Sequence, residues 1–374
     1  METTRVYAKI DTGAIAHNIK LIKNKIGKSR LMIVVKADAY GHGAAEISHR
    51  FESDVDCFAV AETGEAMELR ARGIKKPILI LGYTSPALYE TAIENDLTLT
   101  LFSLSCARLL SEKAVQMGKN ARVHFAVDTG MGRIGWQVCE HDAEEAASAA
   151  KLPGIEPEGI FSHFATADES DTSFAEAQCE EFMRFCTMLE ARGVHIPLRH
   201  MNNSAGILRF TRQYGMVRAG ILAYGLYPAE NLASEIGQSF PLRPAMELIT
   251  HIAHIKELPA GRTVSYGATY TTSRKTLVAT LPVGYADGYP RALSGKGEVI
   301  LHGVRCPIIG RVCMDQMMVD ITAVPHAKTE DEVTLVGRNG GEFISVEEIA
   351  ALAGTINYEF ICGIAKRVPR VYVK

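Results

Sequence analysis

The chain has 374 residues, 47% of them hydrophobic and 22% charged, with 40 Lys plus Arg set against 43 Asp plus Glu for a formal charge of −3. That is enough chain to bury the cores of two domains, and so even a balance gives no reason to expect nucleic acid or an anionic membrane surface as a partner. The longest apolar runs are strand length, well short of the roughly 20 residues a spanning helix needs. The opening Met1-Glu2-Thr3-Thr4-Arg5 carries no apolar signal region. A cytoplasmic location is expected, with the cytoplasmic domain of a membrane protein as the alternative.

In chain order, short apolar runs alternate with helical patterns up to about residue 235. The strand candidates are Leu31–Val35, Cys57–Val60, Pro77–Leu81, Leu97–Leu101, Val123–Val127, Gly159–Phe164, Arg199–Asn203 and Met216–Ala219. Between them, Glu62–Arg72, Ala107–Met117, Glu144–Ala150 and Glu176–Arg192 repeat apolar residues at three and four positions, as at Met183, Cys186 and Leu189. Strands alternating with helices imply a parallel sheet, and eight such units in this length favour a closed (β/α)8 barrel over an open doubly wound sheet. The rhythm then changes. Leu248–Lys256, Thr276–Leu281, Glu298–Leu301, Pro307–Ile309, Met317–Ile321, Glu332–Val336 and Val368–Val373 read as successive strands, with only Val346–Ala353 helical. The expected organisation is therefore an α/β barrel over residues 1–235 followed by a mostly-β domain over 236–374. His251 and His254 fall in one strand-like stretch, on opposite faces, and read as structural. The eight cysteines, none in a Cys-x-x-Cys pair, read as reduced small hydrophobes and not as a disulfide frame or a metal site.

A barrel enzyme carries its chemistry at the C-terminal ends of its strands, and the distinctive residues fall there. Lys36 ends the first strand and opens Lys36-Ala37-Asp38-Ala39-Tyr40-Gly41-His42-Gly43. An amine held against apolar walls loses hydration, so its pKa falls and it becomes nucleophilic, as a covalent bond to an aldehyde cofactor requires. Arg133 follows the fifth strand, His163 ends the sixth, Asn203-Ser204 close the seventh, and Arg218-Ala219-Gly220-Ile221 end the eighth. The loops after strands seven and eight are a common phosphate site in such barrels. Asp128-Thr129-Gly130-Met131-Gly132-Arg133-Ile134-Gly135 satisfies a dinucleotide-binding Gly pattern after a strand, but no clear strand with an acidic end follows at the right distance, so that reading is set aside.

The Lys36 stretch resembles the pyridoxal-phosphate lysine motif of bacterial alanine racemases. The resemblance runs from about Tyr7 to the C-terminus, through Val217–Ile221, Thr263-Val264-Ser265-Tyr266-Gly267, Pro282–Gly288, Arg311-Val312-Cys313-Met314-Asp315-Gln316 and Gly363–Arg370. It implies pyridoxal 5'-phosphate on Lys36, its phosphate held by Tyr40, Ser204, Gly220 and Ile221 beside Asn203 and Lys366, and Arg218 at the pyridine nitrogen with His200 behind it. It also implies two bases, Lys36 on one face of a planar carbon and Tyr266 on the other, with His163 beside the tyrosine. A free tyrosine titrates near ~10 and needs such help to act near neutrality. Arg133 and the Met314 backbone would bind the substrate carboxylate while Asp315 orders the site, with Tyr285 lining the entrance. In the family, the tyrosine and the Met314 segment come from the other subunit, which implies a homodimer with shared sites.

Two positions depart from the family. Many alanine racemases place a carbamylated lysine where this chain has Ala126, so a bound anion such as chloride, a nearby acid or a more mobile Arg133 is expected. Where a tyrosine is common, this chain has Lys366. Both put strict alanine specificity in question. The readings are a racemase of alanine, supplying D-amino acid for peptidoglycan; a serine racemase domain of a vancomycin-resistance membrane protein; a pyridoxal-phosphate decarboxylase on the same barrel, against which Arg218 stands; and a non-catalytic cofactor-binding protein, which would lack the β-rich half.

Overall fold

The computed structural model describes residues 5–374, leaving the first four positions of the Met1–Arg5 reading outside the described residues. The described residues form two compact units that interleave in sequence: one takes Ala14–Ala39 and Ala44–Arg243, the other residues 5–13, Tyr40–Gly43 and Pro244–Lys374. The sequence reading expects one cut at 235/236; the first strand, β1 (Tyr7–Asp11), pairs with strands near residues 250 and 370 and so joins the β-rich unit.

The first unit is the barrel. Its strands are β2 (Arg30–Val34), β3 (Cys57–Val60), β4 (Ile78–Ile80), β5 (Leu99–Leu101), β6 (Ala121–Asp128), the short β7 (Trp136–Gln137) beside β6, β8 (Ile155–Phe161), β9 (Leu198–His200) and β10 (Met216–Ala219). They run parallel in the order β4-β3-β2-β10-β9-β8-β6-β5. The two ends meet through a parallel bridge between Leu79 and Thr98, with Ile80 N donating to Thr98 O at 2.9 Å and Thr98 N to Ile78 O at 2.9 Å. Eight parallel strands thus close on themselves. Every residue of β3, β4 and β5 is buried, as expected for strands covered by helices on the outside and packed side chains within. The helices between them bury one stripe each. Ser173–Ala191 packs Phe182, Phe185, Cys186 and Leu189 inward. Leu104–Met117 begins three residues before the periodic pattern because Ser103 caps it, its hydroxyl accepting from Cys106 N.

The β-rich unit adds β11 (Met246–His251), β12 (His254–Leu258), β13 (Thr263–Val264), β14 (Tyr270–Thr271), β15 (Thr276–Leu281), β16 (Glu298–Leu301), β17 (Val304–Pro307), β18 (Met317–Asp320), β19 (Glu332–Asn339), β20 (Glu342–Ile344) and β21 (Arg370–Val373). The larger sheet runs β17-β16-β19-β11-β1-β21; a three-stranded sheet runs β12-β15-β18; β13 and β14 form a hairpin. The expected single strand Leu248–Lys256 is broken at Ile252–Ala253. His251 and His254 therefore lie in different sheets and not on two faces of one strand, and the His251 ring is bonded to Arg5 O at 3.0 Å. A second helix, Asn357–Cys362, joins the expected Val346–Ala353. None of the eight cysteines is joined in a disulfide.

Gly284–Gly288 shows what glycine does in this unit. Tyr285 N donates to Cys313 O and Ala286 N to Met314 O, both at 3.0 Å, while Ala365 N donates to Asp287 O at 3.1 Å. Gly288 has φ +95°, and a Cβ there would run into the backbone of Gly363 and Ile364. Gly288→Ala combines a left-handed L-residue with overpacking against main chain. It should cost about 2–4 kcal/mol, read as a lower urea midpoint at unchanged slope; a midpoint within error of the parent would show that the two segments part easily.

Candidate active site

Lys36 lies two residues past the end of β2 and is half-buried. The chain then makes a left-handed turn built without glycine: Ala37, Asp38, Ala39 and Tyr40 have φ of 51°, 54°, 55° and 53°. Each such L-residue costs roughly 1–2 kcal/mol against a right-handed turn. Named hydrogen bonds hold the start of it. The Glu65 carboxylate accepts from Ala37 N at 2.6 Å and Ala61 N at 2.7 Å, and Asp38 Oδ1 accepts from Ala44 N at 2.8 Å. Tyr40–Gly43 groups with the β-rich unit, where Arg370 Nε donates to Gly41 O at 2.9 Å and Tyr372 OH to His42 O at 3.1 Å. The Tyr40 ring lies 6.1 Å from that of Tyr358.

Arg218, on β10 and only 3% exposed, is the centre of the barrel rim. Its Nη1 donates to His200 Nδ1 at 2.7 Å and His200 O at 3.2 Å; its Nη2 donates to Ser162 O at 2.7 Å, Met201 O at 2.8 Å and His163 Nδ1 at 3.2 Å. A guanidinium only donates, so it fixes the tautomers around it. His200 Nδ1 must accept, which puts the His200 proton on Nε2, where it is given to His124 Nδ1 at 2.8 Å. His163 Nδ1 likewise accepts. Burial, then the Arg218 charge, holds His124 down to about 3 and His200 well below its ordinary value. Burial and then the charges of Arg218, Arg133 and Lys36 hold His163 down to about 3. Burial, with the charge of Arg133, lowers Arg218 to about 9, which leaves it a cation at neutral pH. The Phe161 ring stacks on His200 at 5.0 Å and lies 5.3 Å from the Arg218 guanidinium carbon.

After β6 the chain turns sharply over the strand end. Gly130, Gly132 and Gly135 all have positive φ, and a Cβ on Gly135 would meet the backbone of Val127 and Asp128. The Gly pattern serves this turn. Asp128 Oδ1 accepts from Gly130 N at 2.9 Å and Gly132 N at 3.0 Å. Burial alone would push its carboxyl up, but these amides outweigh it and the net shift is downward. Arg133 projects from this turn, exposed, and among the described residues its side chain makes no hydrogen bond or ion pair; Ala126, at the position of the missing lysine, is buried. Gln178 ties this loop to the next, donating to Thr129 Oγ1 at 3.2 Å and His163 O at 3.0 Å while accepting from Ala165 N at 2.9 Å.

Between β9 and the segment after β10 lies a small nest of amides. Gly220 N at 3.1 Å and Leu222 N at 3.5 Å both point at the buried Ser204 Oγ, with Ile221 fully buried between them. Asn203 accepts from Gly206 N at 2.9 Å. Two backbone N–H groups and a hydroxyl converging beside β9 and β10 fit an anion such as a phosphate.

In the β-rich unit, Tyr266, Tyr285 and Met314 are among the most exposed large side chains, at 72%, 42% and 52%. Asp315 is held by Arg367, whose Nη2 donates to its Oδ1 at 2.7 Å. Arg367 Nε also donates to Asp287 Oδ1 at 2.8 Å, and Arg5 binds both oxygens of Asp287 at 3.1 and 3.0 Å and Asp315 O at 3.3 Å. Asp287, 1% exposed, is thus the hub that seats the Met314–Asp315 loop. Lys366 is exposed. His124, Gln178, Asp287, Arg5 and Arg367 are the residues that strand-end reasoning misses: His124 lies inside a strand, Gln178 inside a helix, and the Arg–Asp hub joins residues up to 310 positions apart.

A lysine, two arginines, two neutral histidines backed by a third inside β6, and an amide nest gather toward the C-terminal rim of a (β/α)8 barrel, the chain also carrying a β-rich second unit. The alanine racemase N-terminal domain family matches residues 10–228 and the alanine racemase C-terminal domain family residues 245–372. The chain is 45% identical to the alanine racemase of Clostridium perfringens over 371 residues, 99% of this chain and 95% of that one. The structure of alanine racemase from Clostridium difficile 630 superposes with TM-score 0.95 at 41% identity, covering 100% of this chain and 97% of that one. That of alanine racemase from Bacillus anthracis with bound L-Ala-P superposes with TM-score 0.93 at 38% identity, covering 100% and 96%. The chain belongs to the alanine racemase family. The serine-racemase and decarboxylase readings gain no support from these matches. Among the described residues no helix is long and apolar enough to cross a membrane.

Histidines held neutral by burial make stability depend on pH. Their folded pKa values lie below the unfolded value near 6.5, so the folded state takes up fewer protons; full stability is present above pH ~6.5 and is lost as pH falls toward 3. Urea midpoints between pH 7 and 4 should fall on acidification. His124→Gln should make that fall shallower by about one proton, roughly 1.4 kcal/mol per pH unit; an unchanged slope would show that His124 is protonated in the folded protein.

Proposed function

We propose that this chain is a pyridoxal-phosphate-dependent racemase that interconverts L- and D-alanine, supplying D-alanine for peptidoglycan. The observation that carries the reading is Arg218: a buried guanidinium that offers donors, no acceptor and no titratable proton at neutral pH, held by neutral histidines. When bound, the cofactor supplies an aldehyde that takes up an amine and a ring that withdraws electrons from the neighbouring carbon. The residues present fit it. The Ser204–Gly220–Leu222 nest suits the phosphate, with Ile221, Asn203, Tyr40 and Lys366 as the remaining ligands by resemblance. Lys36 suits the aldehyde, and Arg218, backed by His200, the ring nitrogen. An arginine there keeps that nitrogen from drawing in a full proton, so the ring is a weaker electron sink. The α-proton is then returned quickly, which suits racemisation and disfavours decarboxylation.

In this reading Lys36 Nζ and Tyr266 Oη exchange the α-proton on opposite faces of the substrate carbon. Arg133 and Met314 N–H orient its carboxylate, Asp315 orders the site, and Tyr285 narrows the entrance. The enzyme works as a homodimer, the partner subunit's Tyr266 serving each barrel; the exposure of Tyr266 and Met314 supports this. The alanine at position 126 and the unbonded Arg133 support an anion such as chloride in place of a carbamate.

Chiral chromatography of protein loaded with pyridoxal phosphate and incubated with L-alanine should give D-alanine, and borohydride should fix the cofactor to Lys36. Protein that stays colourless with cofactor, or label on another lysine, overturns the reading. Tyr266→Phe should lose α-proton exchange from L-alanine at least a hundredfold more than from D-alanine, in the range of a lost general base; equal losses would remove the two-base assignment.

A further inference from the structure

The turn that carries Tyr266 is held in a backbone state its residues do not prefer. Ser265 has φ +67° and ψ 179°, a combination open in practice only to glycine. Gly267 and Ala268 follow at φ +74° and +47°. The strain is confined by what lies on either side. Val264, 5% exposed, packs with Val278 and Ile309 in one core cluster, walled by Leu258, Tyr270 and Met318. Ser265 and Gly310 therefore leave that cluster side by side. They are so close that a Cβ on Gly310 would stand 2.7 Å from Ser265 Cβ and 2.8 Å from Val264 O. From there Ser265 Oγ donates to Arg311 O at 2.7 Å and lies 3.5 Å from Cys313 Sγ. The Arg311 guanidinium returns across the turn, its nearest atom 3.2 Å from where a Cβ on Gly267 would sit. One hydroxyl thus ties the turn bearing Tyr266 to the loop that runs on to Met314 and Asp315.

We infer that Ser265 is a positioning residue: its strained backbone and its hydrogen bond to Arg311 O aim Tyr266 and keep it in register with the Met314 loop. Relaxing Ser265 to negative φ would change the direction in which the chain leaves Val264 and swing the tyrosine hydroxyl away, while Val264 stays in its core cluster. The inference rests on the reading of Tyr266 as one of the two bases.

The test compares Ser265→Gly, Ser265→Ala and Tyr266→Phe with the parent as holoenzymes. Solvent-deuterium exchange into L- and D-alanine is followed alongside melting temperature and hydrogen exchange over residues 263–271. Glycine relieves the strain and loses the hydrogen bond, so Ser265→Gly should melt within about 3 °C of the parent. It should nevertheless lose protection in the turn and lose exchange from L-alanine at least tenfold more than from D-alanine. Ser265→Ala keeps the strained backbone and loses only the hydroxyl; it should melt lower and show the same asymmetry, which a purely structural role would not produce. Equal losses from both enantiomers, or none, in a background where Tyr266→Phe is asymmetric overturns the inference alone. If Tyr266→Phe itself is symmetric, the reading of Tyr266 fails and the inference falls with it.

Discussion

A buried positive charge with no carboxylate to meet it is the constraint around which the barrel rim is built. Taking a guanidinium out of water costs many kilocalories unless its donors are satisfied. Among the described residues Arg218 has no acidic partner; three main-chain carbonyls and two imidazole nitrogens stand in for one. That substitution makes demands on the fold. The carbonyls come from Ser162, His200 and Met201, at or just past the ends of β8 and β9, so those strands must end where they do. The imidazoles must stay neutral and present an acceptor, which burial ensures, and His124 completes the chain by taking the His200 proton. The charge that remains is offered to whatever anion enters the rim.

The β-rich unit solves the opposite problem. There the buried group is the carboxylate of Asp287, and it is met by two arginines, one from each end of the chain. The outer half of this network, Arg367 with Asp315, is largely exposed, and such a pair adds at most about a kilocalorie to stability. Its value is geometric. It holds the Met314–Asp315 loop against the Gly284–Gly288 turn, whose glycines let main chain meet main chain. Stability and positioning are thus carried by different bonds of one cluster.

The barrel was legible because its signals are local. Strand length and helical spacing are read within a few residues of each other, and Lys36, Arg133, His163, Ser204 and Arg218 stand at or just past strand ends in the sequence itself. What was not legible depends on pairings across the chain. Nothing in Tyr7–Asp11 says that it joins strands near residues 250 and 370. His251 and His254 looked like one strand because the break at Ile252–Ala253 carries no glycine or proline. Ser265 could not announce its strain, since serine is ordinary at a turn, and Ala37-Asp38-Ala39-Tyr40 would be read by any propensity as a right-handed helix.

That last segment bears on the order in which the protein assembles. Alanine is the strongest helix former, so before the barrel exists residues 37–40 favour a right-handed turn. The opposite hand becomes affordable only once Glu65 can accept from Ala37 and Ala61, and Asp38 from Ala44. Glu65 sits on the helix after β3, so β2, β3 and that helix must already be together. Lys36 is therefore aimed late, by a scaffold that must form before it. A folding intermediate that has not yet brought β2, β3 and that helix together would still hold Lys36 out of line.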